Sequence, residues 1–188
     1  MGFAPDQHQL VRLNANQLSM YLDEVTRAGT IQNAYGNFVD LKHRPDFDKL
    51  THAIQSIVDQ SLVLRSRLAA CDIPTADVAY LVARNQLRVQ LKIHDWSGDD
   101  LNEDQLQEQI LKLMHRAYQL PDEELVSYHL VNAGATRVYL VMACHHILLD
   151  GAATYLLMQK ILQRYRGELL LFVATQGGRP PVGIARTG

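Results

Sequence analysis

Apolar residues recur along this chain with two different periods, and the places where the period changes mark the boundaries of its elements. Phe47, Leu50, Ile54, Ile57 and Val58 follow three- and four-residue steps, which predicts an amphipathic helix, and Asp46 after Pro45 is placed to cap it. The same spacing puts Leu106, Ile110, Leu113, Met114 and Ala117 on one side of a helix over residues 104–118. It also puts Leu156, Leu157, Met158, Ile161 and Leu162 on a helix over residues 152–165, and a further helix is expected over residues 16–27. Shorter β-favouring runs predict strands near residues 34–41, 64–69, 78–83, 88–93, 126–131 and 138–144. In the run at 88–93, Val89, Leu91 and Ile93 alternate with Arg88, Gln90 and Lys92, the mark of a strand with one wet face. The run from Arg137 to Cys144 is apolar nearly throughout and is therefore expected to be covered on both faces and central in its sheet. Strands and helices mix without strict alternation, which favours an α+β sandwich, a mixed sheet with helices packed on it, over a doubly wound fold.

The 188 residues suffice for one domain with a substantial core. With 18 basic and 20 acidic residues the net charge is −2, which gives no electrostatic reason to expect nucleic acid or an anionic membrane as partner. No apolar run approaches the ~20 residues that span a bilayer. The opening Met1-Gly2-Phe3-Ala4-Pro5-Asp6 lacks the basic and apolar regions of a secretory signal, so a cytoplasmic location is the default expectation. Cys71 and Cys144 show no CxxC spacing and read as reduced thiols. Residues 175–188 are rich in Gly and Pro without periodicity, which divides the chain into a folded lobe at 1–174 and a tail or linker.

Candidate chemistry concentrates in Ala143-Cys144-His145-His146-Ile147-Leu148-Leu149-Asp150-Gly151, the turn from the last strand to the last helix. Successive strand side chains point to opposite faces, so one histidine is expected to be structural and the other free for chemistry. Gly151 reads as a residue chosen for its backbone freedom. His145, His146 and Asp150 are metal-binding types, yet adjacent strand histidines diverge and no HExxH spacing exists, so no metal is expected. Cys144 shares a face with His146, but positions i and i+2 on a strand hold their β-carbons ~6.5–7 Å apart, too far for a Cys-His pair, and core packing is the better account. Asp150 admits two roles, orienting His146 as a triad carboxylate does or bracing the loop.

The run His145-His146-Ile147-Leu148-Leu149-Asp150-Gly151 resembles the HHxxxDG signature of nonribosomal peptide synthetase condensation domains and related acyltransferases of the chloramphenicol acetyltransferase-like fold. Two further echoes precede it in the family's order. Asn14-Ala15-Asn16-Gln17-Leu18-Ser19-Met20-Tyr21-Leu22 looks like the first motif, and Leu64-Arg65-Ser66-Arg67-Leu68 like the LRTxF end of the second. Departures are Gln60, Ser61 and Leu62 in place of Arg-His-Glu, Asn16 in place of Ala, and Leu149, Ala152 and Ala153 where Ser, Trp and Ser are frequent. The resemblance implies the N-terminal lobe of a condensation-type domain, with His146 catalytic and His145, Asp150, Gly151 and Arg65 supporting the site, Asp150 through a salt bridge to Arg65. It implies acyl transfer from a carrier-protein-bound thioester to an amine or hydroxyl acceptor. No cofactor would be bound by the chain itself, the substrate arriving on phosphopantetheine or CoA. The partners implied are an acyl or peptidyl carrier protein and either the C-terminal lobe or a second copy of the chain. A stand-alone CoA-dependent acyltransferase and a non-catalytic carrier-protein interaction module are the alternatives.

Overall fold

Residues 8–27, 29, 31–68, 80–120 and 123–167 are described by the computed structural model. Their elements, in chain order, are β1 (His8–Arg12), α1 (Ala15–Thr26), β2 (Ala34–Asp40), α2 (Phe47–Gln60), β3 (Ser66–Leu68), β4 (Tyr80–Arg84), β5 (Leu91–Asp95), α3 (Glu103–Met114), β6 (Val126–Asn132), β7 (Val138–His145) and α4 (Gly151–Arg166). A short 3-10 turn, Val63–Arg65, joins α2 to β3.

The apolar run that ends in the histidines becomes β7, buried at all eight positions. It lies inside a four-stranded sheet of order β2-β7-β6-β5, antiparallel to both neighbours, while β5 pairs with β6 in parallel. Helices cover both faces, as a strand of almost wholly apolar side chains requires. Leu50, Ile54 and Val58 of α2 and Met158, Ile161 and Leu162 of α4 pack on Leu140 and Met142. Leu106, Ile110 and Met114 of α3 pack on Val131, Tyr139 and Val141 from the other side. A second sheet of order β1-β4-β3 is antiparallel throughout. Its Leu68 and Leu81 share a core with Leu13, Tyr118, Leu125 and Ile147, which brings the small sheet against the turn that follows β7. The result is the α+β lobe of mixed sheet and packed helices expected from the pattern.

Two close approaches fix these layers. Tyr165 Oη accepts the Asp46 N–H at 3.0 Å, tying the start of α2 to the end of α4, and the Asp46 side chain caps α2 by accepting from the Lys49 N–H at 3.0 Å. On the opposite face a Cβ at Gly36 would stand 2.5 Å from the Met142 carbonyl oxygen and 2.6 Å from Met114 Cγ. Only a hydrogen fits there, so α3 reaches the sheet because β2 carries a glycine. Gly36→Ala is expected to destabilise the fold by about 1–3 kcal/mol, the usual effect of overpacking, read as a lowered denaturant midpoint; an unchanged midpoint would show that the α3 contact yields freely.

The structure differs from the pattern where long-range contacts intervene. β1 carries no sequence signal and forms by pairing with β4. β5 begins at Leu91 rather than at 88, because the Gln55 side chain captures that segment, accepting from Val89 N–H and donating to the Leu87 carbonyl, each at 2.8 Å. Its expected alternation fails at Ile93, which is 60% exposed on the edge strand. Helix α3 stops at Met114 instead of 118, and beyond it Glu123 pairs with Arg116 and accepts the Gln119 N–H. Phe47 is exposed, so the α2 stripe starts one turn later. Leu64 and Arg65 lie in the 3-10 turn and not in a strand. Cys71, residues 69 and 78–79, and the tail at 175–188 lie outside the described residues.

Candidate active site

β7 ends at His145, and residues 146–148 turn the chain toward α4. Three distant segments hold this turn by its backbone. Leu125 carbonyl accepts the His145 N–H at 2.9 Å, Asn33 carbonyl accepts the His146 N–H at 2.8 Å, and the Gln17 amide donates to the Ile147 carbonyl at 2.8 Å. Gln17 is itself fixed by a capping box with Asn14, the two exchanging bonds of 3.1 and 2.9 Å at the start of α1. The first and third sequence motifs therefore meet in space.

The two histidines part as the strand period requires. His145 is fully buried, and its Nδ1 accepts the Ile147 N–H at 3.1 Å. An accepting Nδ1 leaves the ring proton on Nε2, which faces Glu24 Oε1 at 3.3 Å, an electrostatic contact too long and bent for a good hydrogen bond. Tyr118 meets the ring edge-on, its centroid 5.3 Å away. Burial lowers the proton affinity of His145 more than the Glu24 carboxylate restores it, so the ring is held neutral.

His146 is partly buried, its ring 5.0 Å from that of Tyr35 at an angle of 34°. Tyr35 also explains Gly151. The glycine is not in the left-handed region; a Cβ on it would stand 3.0 Å from Tyr35 Oη, so its role is close approach and not backbone freedom. A shallow groove of about 380 Å³ is lined by Ser19, Met20, Leu22, Asp23 and Thr26 of α1 and by Asn33 just before β2.

Asp150 and Arg65 are not brought together. Asp150 is exposed and caps α4, accepting the Ala153 N–H at 2.7 Å, while the Arg65 guanidinium bonds the Asp59 carbonyl at the end of α2. The salt bridge implied by the resemblance is thus replaced by a helix cap, a role open to aspartate whenever a strand turns directly into a helix. Asp150→Ala is expected to cost about 1 kcal/mol, typical of a lost N-cap, rather than the 3–5 kcal/mol of an orphaned buried ion. In a double-mutant cycle with Arg65→Ala, coupling above about 0.5 kcal/mol would overturn this account.

Other candidate groups resolve as packing. Cys144 is wholly buried, and burial pushes its thiol up to about 12, so it is no nucleophile at neutral pH. His94 Nε2 lies 2.9 Å from His129 Nδ1, and His129 Nε2 lies 2.9 Å from Ser127 Oγ, forming a chain from the sheet edge inward. Among the described residues no group of three His, Cys, Asp or Glu could hold a metal ion, and no helix is long and apolar enough to cross a membrane. Sequence reasoning missed Glu24, Asn33 and Tyr35, which carry no local signal. The Asn14–Gln17 spacing could have marked the cap.

Comparison with known proteins converges on one family. The model of the condensation domain matches residues 9–172. Surfactin synthase subunit 2 of Bacillus subtilis (strain 168) is 28% identical over 152 residues, covering 80% of this chain and 4% of that protein. Gramicidin S synthase 2 of Aneurinibacillus migulanus is 26% identical over 159 residues, covering 84% and 3%. Among solved structures, the first condensation domain of the CDA synthetase superposes with a TM-score of 0.70 at 20% identity, over 87% of this chain and 43% of that one. The starter condensation domain of rhizomide synthetase gives 0.73 at 16% identity, over 86% and 39%. The chain therefore spans a small part of each synthase and less than half of each solved chain.

Proposed function

The chain belongs to the condensation-domain family, and from that premise we propose that it is the N-terminal lobe of an acyltransferase that joins a thioester-bound acyl group to an amine or hydroxyl acceptor in nonribosomal peptide biosynthesis. The observation that carries the reading is the division of labour in the histidine pair. His145 has its whole ring enclosed in the core, while His146 is only partly buried, on a turn pinned by Gln17, Asn33 and Leu125. An accessible imidazole on a rigid support is what general-base or orienting catalysis needs.

In the proposed reaction the acyl group arrives on a carrier protein's phosphopantetheine arm or on CoA, neither of which is held as a resident cofactor. The acceptor nitrogen or oxygen attacks the thioester carbonyl, the new C–N or C–O bond replaces the C–S bond, and the proton lost by the acceptor passes by way of His146 to the departing thiolate. His146 binds and aligns the acceptor, and Tyr35 supports its ring. A second lobe supplies the facing wall of the reaction chamber, in keeping with the fraction of each solved domain that this chain spans. The test is intact-mass detection of condensed product from an acyl-loaded carrier protein and an amine acceptor, with and without the second lobe. Product only when both lobes are present supports the reading; undiminished binding of the carrier without product under any condition would instead make this a non-catalytic interaction module.

A further inference from the structure

Helix α1 packs Leu18 and Tyr21 against the core shared with the small sheet, yet buries an acid more deeply than either. Its apolar Leu22 and Val25 are 42% and 58% exposed, whereas its one buried side chain is the carboxylate of Glu24, at 5%. Burying a carboxylate is unfavourable unless it is well paired. Among the described residues the partners of Glu24 are not cations of fixed charge but an amide and an imidazole. Asn33 Nδ2 donates to Glu24 Oε1 at 2.9 Å, and His145 Nε2 faces the same oxygen at 3.3 Å. Both contacts of this buried acid lead to the same place. Asn33, oriented through its side chain, offers its carbonyl to the His146 N–H at 2.8 Å. His145, oriented through Nε2, offers Nδ1 to the Ile147 N–H at 3.1 Å.

We infer that Glu24 is a positioning residue for His146, clamping the turn on both sides of that imidazole through Asn33 and His145. It does not touch the reacting atoms. The inference rests on the catalytic reading of His146 and adds to it the group that fixes the ring's direction. Loss of such an orienting group displaces the imidazole by a fraction of an ångström to an ångström, a misplacement that can lower turnover by up to about 10²-fold.

Glu24→Gln preserves size and an acceptor for Asn33 while removing the charge that faces His145; Glu24→Leu removes both contacts but suits the burial. Amide hydrogen exchange reports the clamp directly. In Glu24→Gln, exchange at His146 and Ile147 is expected to accelerate at least about tenfold, while the His145 amide, bonded to the Leu125 carbonyl, stays protected as an internal control. In the full-length protein kcat should fall with carrier binding and KM retained, and Glu24→Leu should lose turnover further without a matching loss of melting temperature. Unchanged exchange at both amides would overturn the proposal, as would loosened amides with full turnover in a protein whose His146→Ala variant is inactive. A melting temperature that falls in step with activity across the Gln and Leu variants would reduce Glu24 to a structural residue. Full turnover in His146→Ala would instead sink the catalytic reading itself, a result distinguishable because the exchange data do not depend on it.

Discussion

Replacing His146 with alanine in the full-length protein is expected to slow amide or ester formation by roughly 10²–10⁴-fold, the span over which a positioned general base contributes. The fold should survive, because the residue is only partly buried and its close ring neighbour is Tyr35. The loss should fall on kcat, with carrier-protein affinity retained, since the residue acts at the reacting centre and not at a docking surface. His145→Ala should fail differently. It empties a wholly buried site, strips the Ile147 N–H of its acceptor and leaves Glu24 facing a void, so soluble, folded protein is what is lost. Turnover by single-turnover quench and stability by urea titration separate the two variants. A folded His146→Ala protein with undiminished turnover would remove that imidazole from the mechanism.

Acidification is expected to weaken the fold through the second histidine cluster. His129 is 4% exposed, and burial, helped by His94, Lys92 and Arg116, lowers its proton affinity from 6.5 to about 4. The unfolded chain takes up that proton as pH falls below the ordinary value, while the folded chain resists until about pH 4. The stabilisation is therefore complete above the ordinary value, declines between the two and is gone below the lower one. At about 1.4 kcal/mol per tenfold change in proton affinity, His129 accounts for up to about 3 kcal/mol. His94 and His129 sharing one short contact sharpens the effect, since two protonated rings cannot keep it. Urea midpoints near neutral pH and near pH 4 should diverge in the wild type and diverge less in His129→Gln; the same divergence in both would show that the acid sensitivity lies elsewhere, as at buried His145.

How far the chain could be read in advance varies with the reach of the interactions involved. The Asp46 cap, the wholly buried β7 and the strand-to-helix turn at His145–Gly151 all rest on neighbours within a few residues, and each was legible. So was the separation of the two histidines, which follows from the two-residue strand period. Helix α1 shows the opposite case. Its periodicity gives no reason to bury Glu24 beside the inward Leu18 and Tyr21, because the groups that meet the acid, Asn33 and His145, lie outside the helix and one of them more than a hundred residues away. Arg65 and Asp150 illustrate the converse error: a pairing carried over from a motif placed two residues together that the backbone holds to other partners, the Asp59 carbonyl and the Ala153 N–H.

The sequence by itself determined the four helices to within a few residues, the complete burial of β7, and the strand-to-helix turn that follows it at His145–Gly151. Those are consequences of period, capping and transfer free energy, all of which act within one or two turns of chain. The tertiary structure alone decided which nitrogen of His145 accepts, that Tyr35 Oη sits where a Cβ on Gly151 would crowd it, that Gly36 admits α3, and that Asn33 and Glu24 frame His146. Those are matters of a few ångströms between residues far apart in sequence, fixed only when the sheets and helices have packed.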